Sequence, residues 1–508
     1  MRDGNMFTMK NVLLNVLTTV INYLARDFDH QRTSYFAQIV PFEITQRVVA
    51  LEINASSERF QVLKSNRAES IYATPFFSPE SSEDALVSMI NEAEEVLDIY
   101  APSVKFWYYE RAAARADAKN GKDAIEGKKC GGLLPSVAIE RETFPVFRAL
   151  LNAVRARNVT VRVLTNKYDD EGEACDGRVT MKDFLALANP EKMEVRYYRT
   201  TSFMHAKFVN NGKKISVSSV NWSKESLRMN REVGVILEGG VEELHERVSK
   251  RAFENDWSKA FAHERNVDDI SESERKIITD NTPVAMLNNR NNDDKKKKKK
   301  KKEEENSINA PFVTKMERIA LSEGSTVEFF VSPDFSRETL INFLRSAKSV
   351  IYIYTYQITD DEIADTLVEL SNKGIKVFLM LSPRIYADWD RKKATEVQSR
   401  LNSIGSNVVV HSSPKNFRYS HLKFILIDDR SNSTKSFRTL VMTGNLSPSD
   451  FPIGNTFRPC FGKASCPRAN RDINVLFQEQ DGKVASKFLE VYSEDSRDAT
   501  VYVNPTKY

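Results

Sequence analysis

The sequence is poor in the residues that would advertise most chemistries. Its 508 residues include six histidines and four cysteines. Cys130, Cys175, Cys460 and Cys466 lack zinc-finger spacing. Cys130 with Cys175, and Cys460 with Cys466, fit two disulfides or two pairs of free thiols equally well. No uninterrupted apolar run reaches the roughly 18–20 residues of a membrane-spanning helix. Charge of one sign is not in excess either. The formal net charge is +4, and the run Asp293–Glu305, with eight Lys against two Asp and three Glu, supplies +3 of it. The remainder, near +1, makes no global basic field of the kind that marks a nucleic-acid binder, which leaves only a local groove for that role.

What is present is a 41% apolar chain, long enough for two to four domains. Residues 1–71 read as an N-terminal extension. Within it, Val12, Leu13, Val16, Leu17, Val20, Ile21 and Leu24 share a helical face opposite Asn11, Asn15 and Asn22. That stretch fits an amphipathic helix and a short secretion signal equally. Five N-x-S/T sequons, at Asn54, Asn158, Asn221, Asn432 and Asn445, permit secretion, although two of them sit inside proposed active-site segments. A secretory or membrane-associated setting is therefore favoured over a cytoplasmic one. Residues 265–322 carry Asn-rich, Lys-rich and Glu-rich runs that cannot bury apolar surface, and they read as a disordered linker.

The two flanking segments, 72–264 and 323–508, repeat one another. Phe76-Phe77-Ser78-Pro79 is answered by Phe329-Phe330-Val331-Ser332-Pro333. Ser78 to Tyr100 is 22 residues, as is Ser332 to Tyr354; Asn158 to His205 is 47, as is Gly374 to His421. The spacing differs between Tyr100 and Asn158, where residues 108–143 read as an insertion. Between these marks apolar periodicity alternates strand, helix, strand: helices over 83–97, 144–157 and 336–347, strands over 97–101, 159–164 and 350–356. The pattern is a duplicated α/β unit.

The duplication aligns the chemistry-bearing residues. Tyr419-Ser420-His421-Leu422-Lys423-Phe424 has the filling of a buried strand, on which His421 and Lys423 share a face and which Asp428 closes. It is matched by His205-Ala206-Lys207-Phe208. Ser219-Val220-Asn221 is matched by Thr443-Gly444-Asn445, and Asn230-Arg231-Glu232 by Asn470-Arg471-Asp472. Each half thus offers a His, a Lys, a hydroxyl, an Asn and a carboxylate in the same order. This set suits phosphodiester cleavage. Lys207, Lys423, Asn221 and Asn445 can neutralise and orient the phosphate oxygens. One imidazole can attack phosphorus and the other protonate the leaving alkoxide. Glu232 and Asp472 can fix the tautomers of the histidines. Neither metal nor cofactor is required. His30, His245, His263 and His411 stand alone and read as surface or core residues.

Two H-x-K motifs with S-x-N and N-R-E or N-R-D downstream resemble the phospholipase D superfamily, over roughly residues 72–262 and 323–485. The stretch Thr200 to Lys207 is especially similar to phospholipase D-type members of protists and bacteria. The resemblance implies two pseudo-symmetric α/β/α halves with one shared active site and a phosphohistidine intermediate. It implies His205 as nucleophile and His421 as acid, with Asp428, Ser219 and Thr443 in support. The sequence departs from the family in two places. Asn210-Asn211-Gly212 replaces the first motif's Asp, and Met442-Thr443 stands where Gly-Ser is usual. The expected activity is hydrolysis of phospholipid head groups, or their transfer to another alcohol, by a monomer at a membrane surface. In favour are the N-terminal helix and the aromatic run Phe106-Trp107-Tyr108-Tyr109. A nuclease cleaving single-stranded nucleic acid by the same chemistry is the alternative, and an inactive module binding anionic lipid through Lys295–Lys302 is a third.

Overall fold

A computed structural model describes residues 61–64, 70–105, 145–166, 181–199, 203–239, 252–264, 316–429, 436–453 and 469–507. The N-terminal helix, the 108–143 insertion, the aromatic run 106–109, the Lys-rich run and all four cysteines lie outside the described residues.

Two mixed sheets carry the fold, and their strands follow one order. In the first, 193–197, 160–165, 96–100, 208–210, 214–218, 232–238 and 72–78 lie side by side. In the second, 408–412, 376–381, 350–355, 423–429, 436–442, 470–479 and 326–332 do the same. In each the first three strands are parallel and the rest antiparallel. The duplication seen as equal spacings is therefore a duplicated topology. The edges are exchanged. Gln61–Lys64, ahead of the first unit, pairs with Thr326–Ser332 of the second sheet. Ile319–Ala320, ahead of the second unit, pairs with Tyr72–Ser78 of the first.

Local sequence explains the elements. Val350–Thr355 is β-branched and aromatic and is almost wholly buried, the signature of a central strand covered on both faces. Helix Asp361–Asn372 starts where the Asp360 carboxylate accepts from the Ile363 amide at 3.0 Å. The chain then turns into strand Lys376–Leu381 through Gly374 at φ 87°. Asn158, the matching position of the first half, takes φ 59°, a conformation that Asn tolerates better than most residues. Helices expected over 83–97, 144–157 and 336–347 are found at Ser82–Asn91, Pro145–Arg155 and Ser336–Arg345. The first is shorter because Val96–Tyr100 already belongs to the next strand.

One expectation needs correcting. The strands of the two motifs begin later than the sequence suggests, at Phe208 and Lys423. His205 and His421 stand ahead of them, on short segments pinned across the two halves. His205 and Ala206 amides donate to the Arg471 carbonyl, each at 2.8 Å, and the His421 amide donates to the Arg231 carbonyl at 2.7 Å. Asp428 is the penultimate residue of strand Lys423–Asp429, paired with Val350 and Phe437. In the first half, Asn210–Gly212 makes a turn instead. Asn210 Oδ1 accepts from Gly212, and Asn211 Oδ1 accepts from Lys213 and Lys214.

Between the sheets lies one apolar core drawn from both units, including Phe77, Tyr100, Phe208 and Val233 with Tyr354, Phe424, Ile473 and Phe488. Two buried arginines lock it. Arg231 reaches from the first half to Asp495 of the second (2.9 and 3.0 Å) and also bonds Glu80, while Tyr354 donates to the same Asp495 at 2.9 Å. Arg471 reaches back to Asp256 of the first half (2.8 Å), to which Tyr100 donates at 2.7 Å.

Candidate active site

The crossing strands bring both motif sets into one place. The His205 side chain is 13% exposed and that of His421 9%. Each imidazole is oriented by a carboxylate from the opposite half. His205 Nδ1 donates to Asp472 Oδ1 at 3.0 Å, and His421 Nδ1 donates to Glu232 Oε2 at 2.8 Å. With Nδ1 committed, Nε2 is the reactive nitrogen of each ring. The hydroxyls act one step behind. Ser219 Oγ donates to Glu232 at 2.6 Å and accepts from the Val233 amide. Thr443 Oγ1 donates to Asp472 at 2.8 Å and accepts from the Ile473 amide. Thr in place of the usual Ser therefore keeps the bond that matters here.

The lysines are buried to 1% and 0% exposure. Lys207 Nζ donates to the His205 carbonyl at 2.5 Å and Lys423 Nζ to the His421 carbonyl at 2.9 Å. Burial lowers Lys207 to about 8 against the opposing pull of Asp472, Asp450 and Glu232. Burial, with Lys207 next, takes Lys423 well below its ordinary value. Both ammonium groups are desolvated, and an arriving phosphate would favour the charged form of each. Lys207 also pushes down His421, so the two sets share one field. Asn221 and Asn445 are half-buried nearby in sequence, and Asn445 Oδ1 has no hydrogen-bond partner among the described residues. Aromatic rings wall the site: Tyr356 and Tyr419 stand 5.3 and 5.7 Å from the His421 ring, and Phe203 stands 6.1 Å from His205.

All eight residues expected to react, orient or neutralise lie in the described part of the chain. Sequence reading missed Asp450, whose Oδ1 lies 3.3 Å from His205 Nδ1. The three donor atoms of His205, Asp450 and Asp472 converge within 4.8 Å, and the bonds from Nδ1 to the carboxylates account for that convergence. It also missed the roles of Arg231 and Arg471, although both stand in the quoted N-R-E and N-R-D motifs.

Known proteins resemble the chain in sequence or in fold. A family described as "Cardiolipin synthase, PLD-like domain" matches residues 136–257 and 340–451, one H-x-K motif in each segment. The two matched segments are phospholipase D-like. Phosphatidylserine synthase of Haemophilus influenzae Rd KW20 is similar in structure at 11% identity and TM-score 0.52, over 87% of this chain and 89% of that one. Its likeness shows the shared two-part phospholipase D-like fold. NucT from Helicobacter pylori (20% identity, TM-score 0.26) and the phospholipase D family member Nuc from Salmonella typhimurium (19%, 0.26) each match 35% of this chain, and 99% and 98% of their own. No curated protein matches the sequence. Members of the superfamily are usually phosphodiesterases or phospholipid synthases.

Proposed function

We propose that the protein is a phospholipase D-type phosphodiesterase that hydrolyses phospholipid head groups, or transfers the phosphatidyl unit to another alcohol, through a phosphohistidine intermediate. The halves 72–264 and 323–508, joined by the 265–322 segment, each supply one half of the catalytic set. The observation that carries this reading is the crossed pairing: His205 on Asp472, His421 on Glu232, with a buried, desolvated lysine bonded to the carbonyl of each histidine. Two imidazoles with fixed Nδ1 suit a double displacement, in which one attacks phosphorus and the other handles the proton of the leaving and entering oxygens. Lys207, Lys423, Asn221 and Asn445 hold the phosphate oxygens.

A lipid substrate is favoured by aromatic exposure beside the site. Tyr386 is 68% and Trp389 60% exposed. The Tyr386 amide donates to Tyr356 Oη at 2.8 Å, and Tyr356 packs on His421. Tyr and Trp exposed at a site's rim suit the water–lipid boundary. No helix among the described residues is long and apolar enough to cross a membrane, which is compatible with action from the surface. The test is incubation of the purified protein with phosphatidylcholine vesicles and, separately, single-stranded DNA. Choline release, lost in His205→Ala, is expected. Cleaved DNA with intact lipid would transfer the same chemistry to a nuclease, and no turnover of either substrate would leave an anionic-lipid-binding module.

A further inference from the structure

The two ends of the site are built alike except at one position. Asn221 and Asn445 each open a short turn: the Ser223 amide donates to the Asn221 carbonyl at 2.8 Å, and the Ser447 amide to the Asn445 carbonyl at 2.9 Å. Five residues after each Asn comes the residue that closes the turn. It is Ser226 in the first half and Asp450 in the second. The Ser226 amide donates to Ser223 Oγ and the Asp450 amide to Ser447 Oγ, both at 3.2 Å. Asn230 Nδ2 donates to Ser226 Oγ at 3.4 Å and Asn470 Nδ2 to Asp450 Oδ1 at 2.6 Å. The positions are equivalent, but one carries a hydroxyl and the other a carboxylate.

Room for the carboxylate comes from a second difference. Val220 in the first half is replaced by Gly444. A Cβ on Gly444 would lie 2.9 Å from Asp450 Cβ and 2.9 Å from Asp472 Cγ and Oδ2. Glycine lets two carboxylates converge on one imidazole. Asp450 is held there by the Asn445 amide and the Ser447 hydroxyl, each 2.8 Å from Oδ2. His205 thus faces Asp472, Asp450 and the single ammonium of Lys207. Among the described carboxylates His421 pairs with Glu232 alone, with Lys423 and Lys207 both nearby.

We propose that Asp450 is a positioning residue that makes the histidines inequivalent: it keeps the proton on His205, which acts as general acid, and leaves His421 as the neutral nucleophile. This is the reverse of the assignment implied by the family resemblance, and it rests on the phosphodiesterase reading above. The first step forms the bond from His421 Nε2 to phosphorus and breaks the bond to the leaving oxygen, which takes the proton from His205 Nε2. In the second step neutral His205 takes a proton from water or an acceptor alcohol, whose oxygen attacks phosphorus. The P–N bond breaks, and neutral His421 and protonated His205 are restored. The electrostatics agree. Burial and Lys207 push His205 down, yet the two carboxylates outweigh them and leave it raised. Burial and the two lysines lower His421 to about 4 despite Glu232. Environments that push paired groups apart in this way set acid and base roles.

The experiment uses full-length protein and bis(4-nitrophenyl) phosphate, whose phenolate departs without protonation. His205→Ala is expected to release a burst of about one equivalent and to hold the phosphoryl group on His421, located by peptide mass spectrometry, because only protonation and water activation are lost. His421→Ala is expected to release none. A phosphoryl adduct on His205 in His421→Ala overturns the proposal. Wild-type protein inert toward both this ester and phosphatidylcholine would overturn the phosphodiesterase reading, and this assignment with it. Asp450→Ser, which copies the first half, is followed by histidine NMR titration independently of turnover. The His205 midpoint is expected to fall by about one unit or more while that of His421 moves little, and the alkaline limb of kcat/KM is expected to move down with it. A merely structural role for Asp450 would lower activity without moving either, and an unmoved midpoint removes Asp450 from the role.

Discussion

Replacing Arg231 with methionine should be far more damaging than any surface change of the same charge. Arg231 is fully buried, and its guanidinium is shared by Glu80 and Asp495, whose side chains are 2% and 6% exposed. Arg231→Met would leave those two carboxylates facing each other without a cation. Removing one partner of a buried pair costs about 3–5 kcal/mol, against a total stability of about 5–15 kcal/mol for a typical domain. Burial already raises Glu80 although Arg231 opposes it, so in the variant Glu80 should take up a proton more readily. The loss should therefore shrink as pH falls from 7 to 5. Urea unfolding followed by circular dichroism at the two pH values reads both effects. Arg228→Ala is the control: its pair with Glu83 is 34% and 20% exposed and should contribute at most about 1 kcal/mol. Adding Asp495→Asn to Arg231→Met should recover part of the loss, because one of the stranded charges is gone. An Arg231→Met loss no greater than that of Arg228→Ala, or one independent of pH, would refute the view that this arginine locks the halves electrostatically.

Three further outcomes are expected. Because Lys207 sits at about 8, roughly half of it is neutral at pH 8; tungstate or phosphate binding there should take up protons, measured by calorimetry in buffers of different ionisation enthalpy. His421, lowered to about 4, binds its proton less readily when folded than when unfolded, so its contribution to stability is complete above about 6.5 and is lost as pH falls toward 4. The raised His205 works the other way, and its contribution is lost as pH rises through its folded value. His421→Asn should thus flatten the acid side of a stability–pH curve, by about 3 kcal/mol at most. Gly444→Ala should cost about 1–3 kcal/mol in urea unfolding, since its Cβ would press on Asp450 and Asp472 at 2.9 Å.

Much of this was legible in the sequence, because duplication makes spacing informative. Equal intervals from Ser78 to Tyr100 and from Ser332 to Tyr354 placed two strands. In the structure those tyrosines also support the crossing, since each donates to the aspartate that holds the opposite half's arginine. The order His, Lys, hydroxyl, Asn, carboxylate named the side chains of the site. It did not show that each carboxylate serves the other half's histidine, because a crossing between sheets leaves no mark on spacing within one repeat. It also placed His421 on a strand that in fact begins at Lys423, since apolar filling does not reveal where a segment is held by pairing to Arg231 instead. Asp450 was missed for a related reason. Motif matching rewards sameness, and Asp450 with Gly444 is a difference, visible only by asking what Ser226 and Val220 become in the second copy. Asp256 and Asp495 follow Glu232 and Asp472 by 24 and 23 residues, a signal that could have found them.

The most direct test of the shared site is turnover of phosphatidylcholine by the two single histidine variants. If one centre is built from both halves, His205→Ala and His421→Ala should each lose about 10²–10⁴-fold or more in head-group release, since each removes a whole role in proton transfer or nucleophilic attack. Retention of about half the wild-type rate in either variant would mean two independent sites and would contradict the crossed arrangement of His205 with Asp472 and His421 with Glu232.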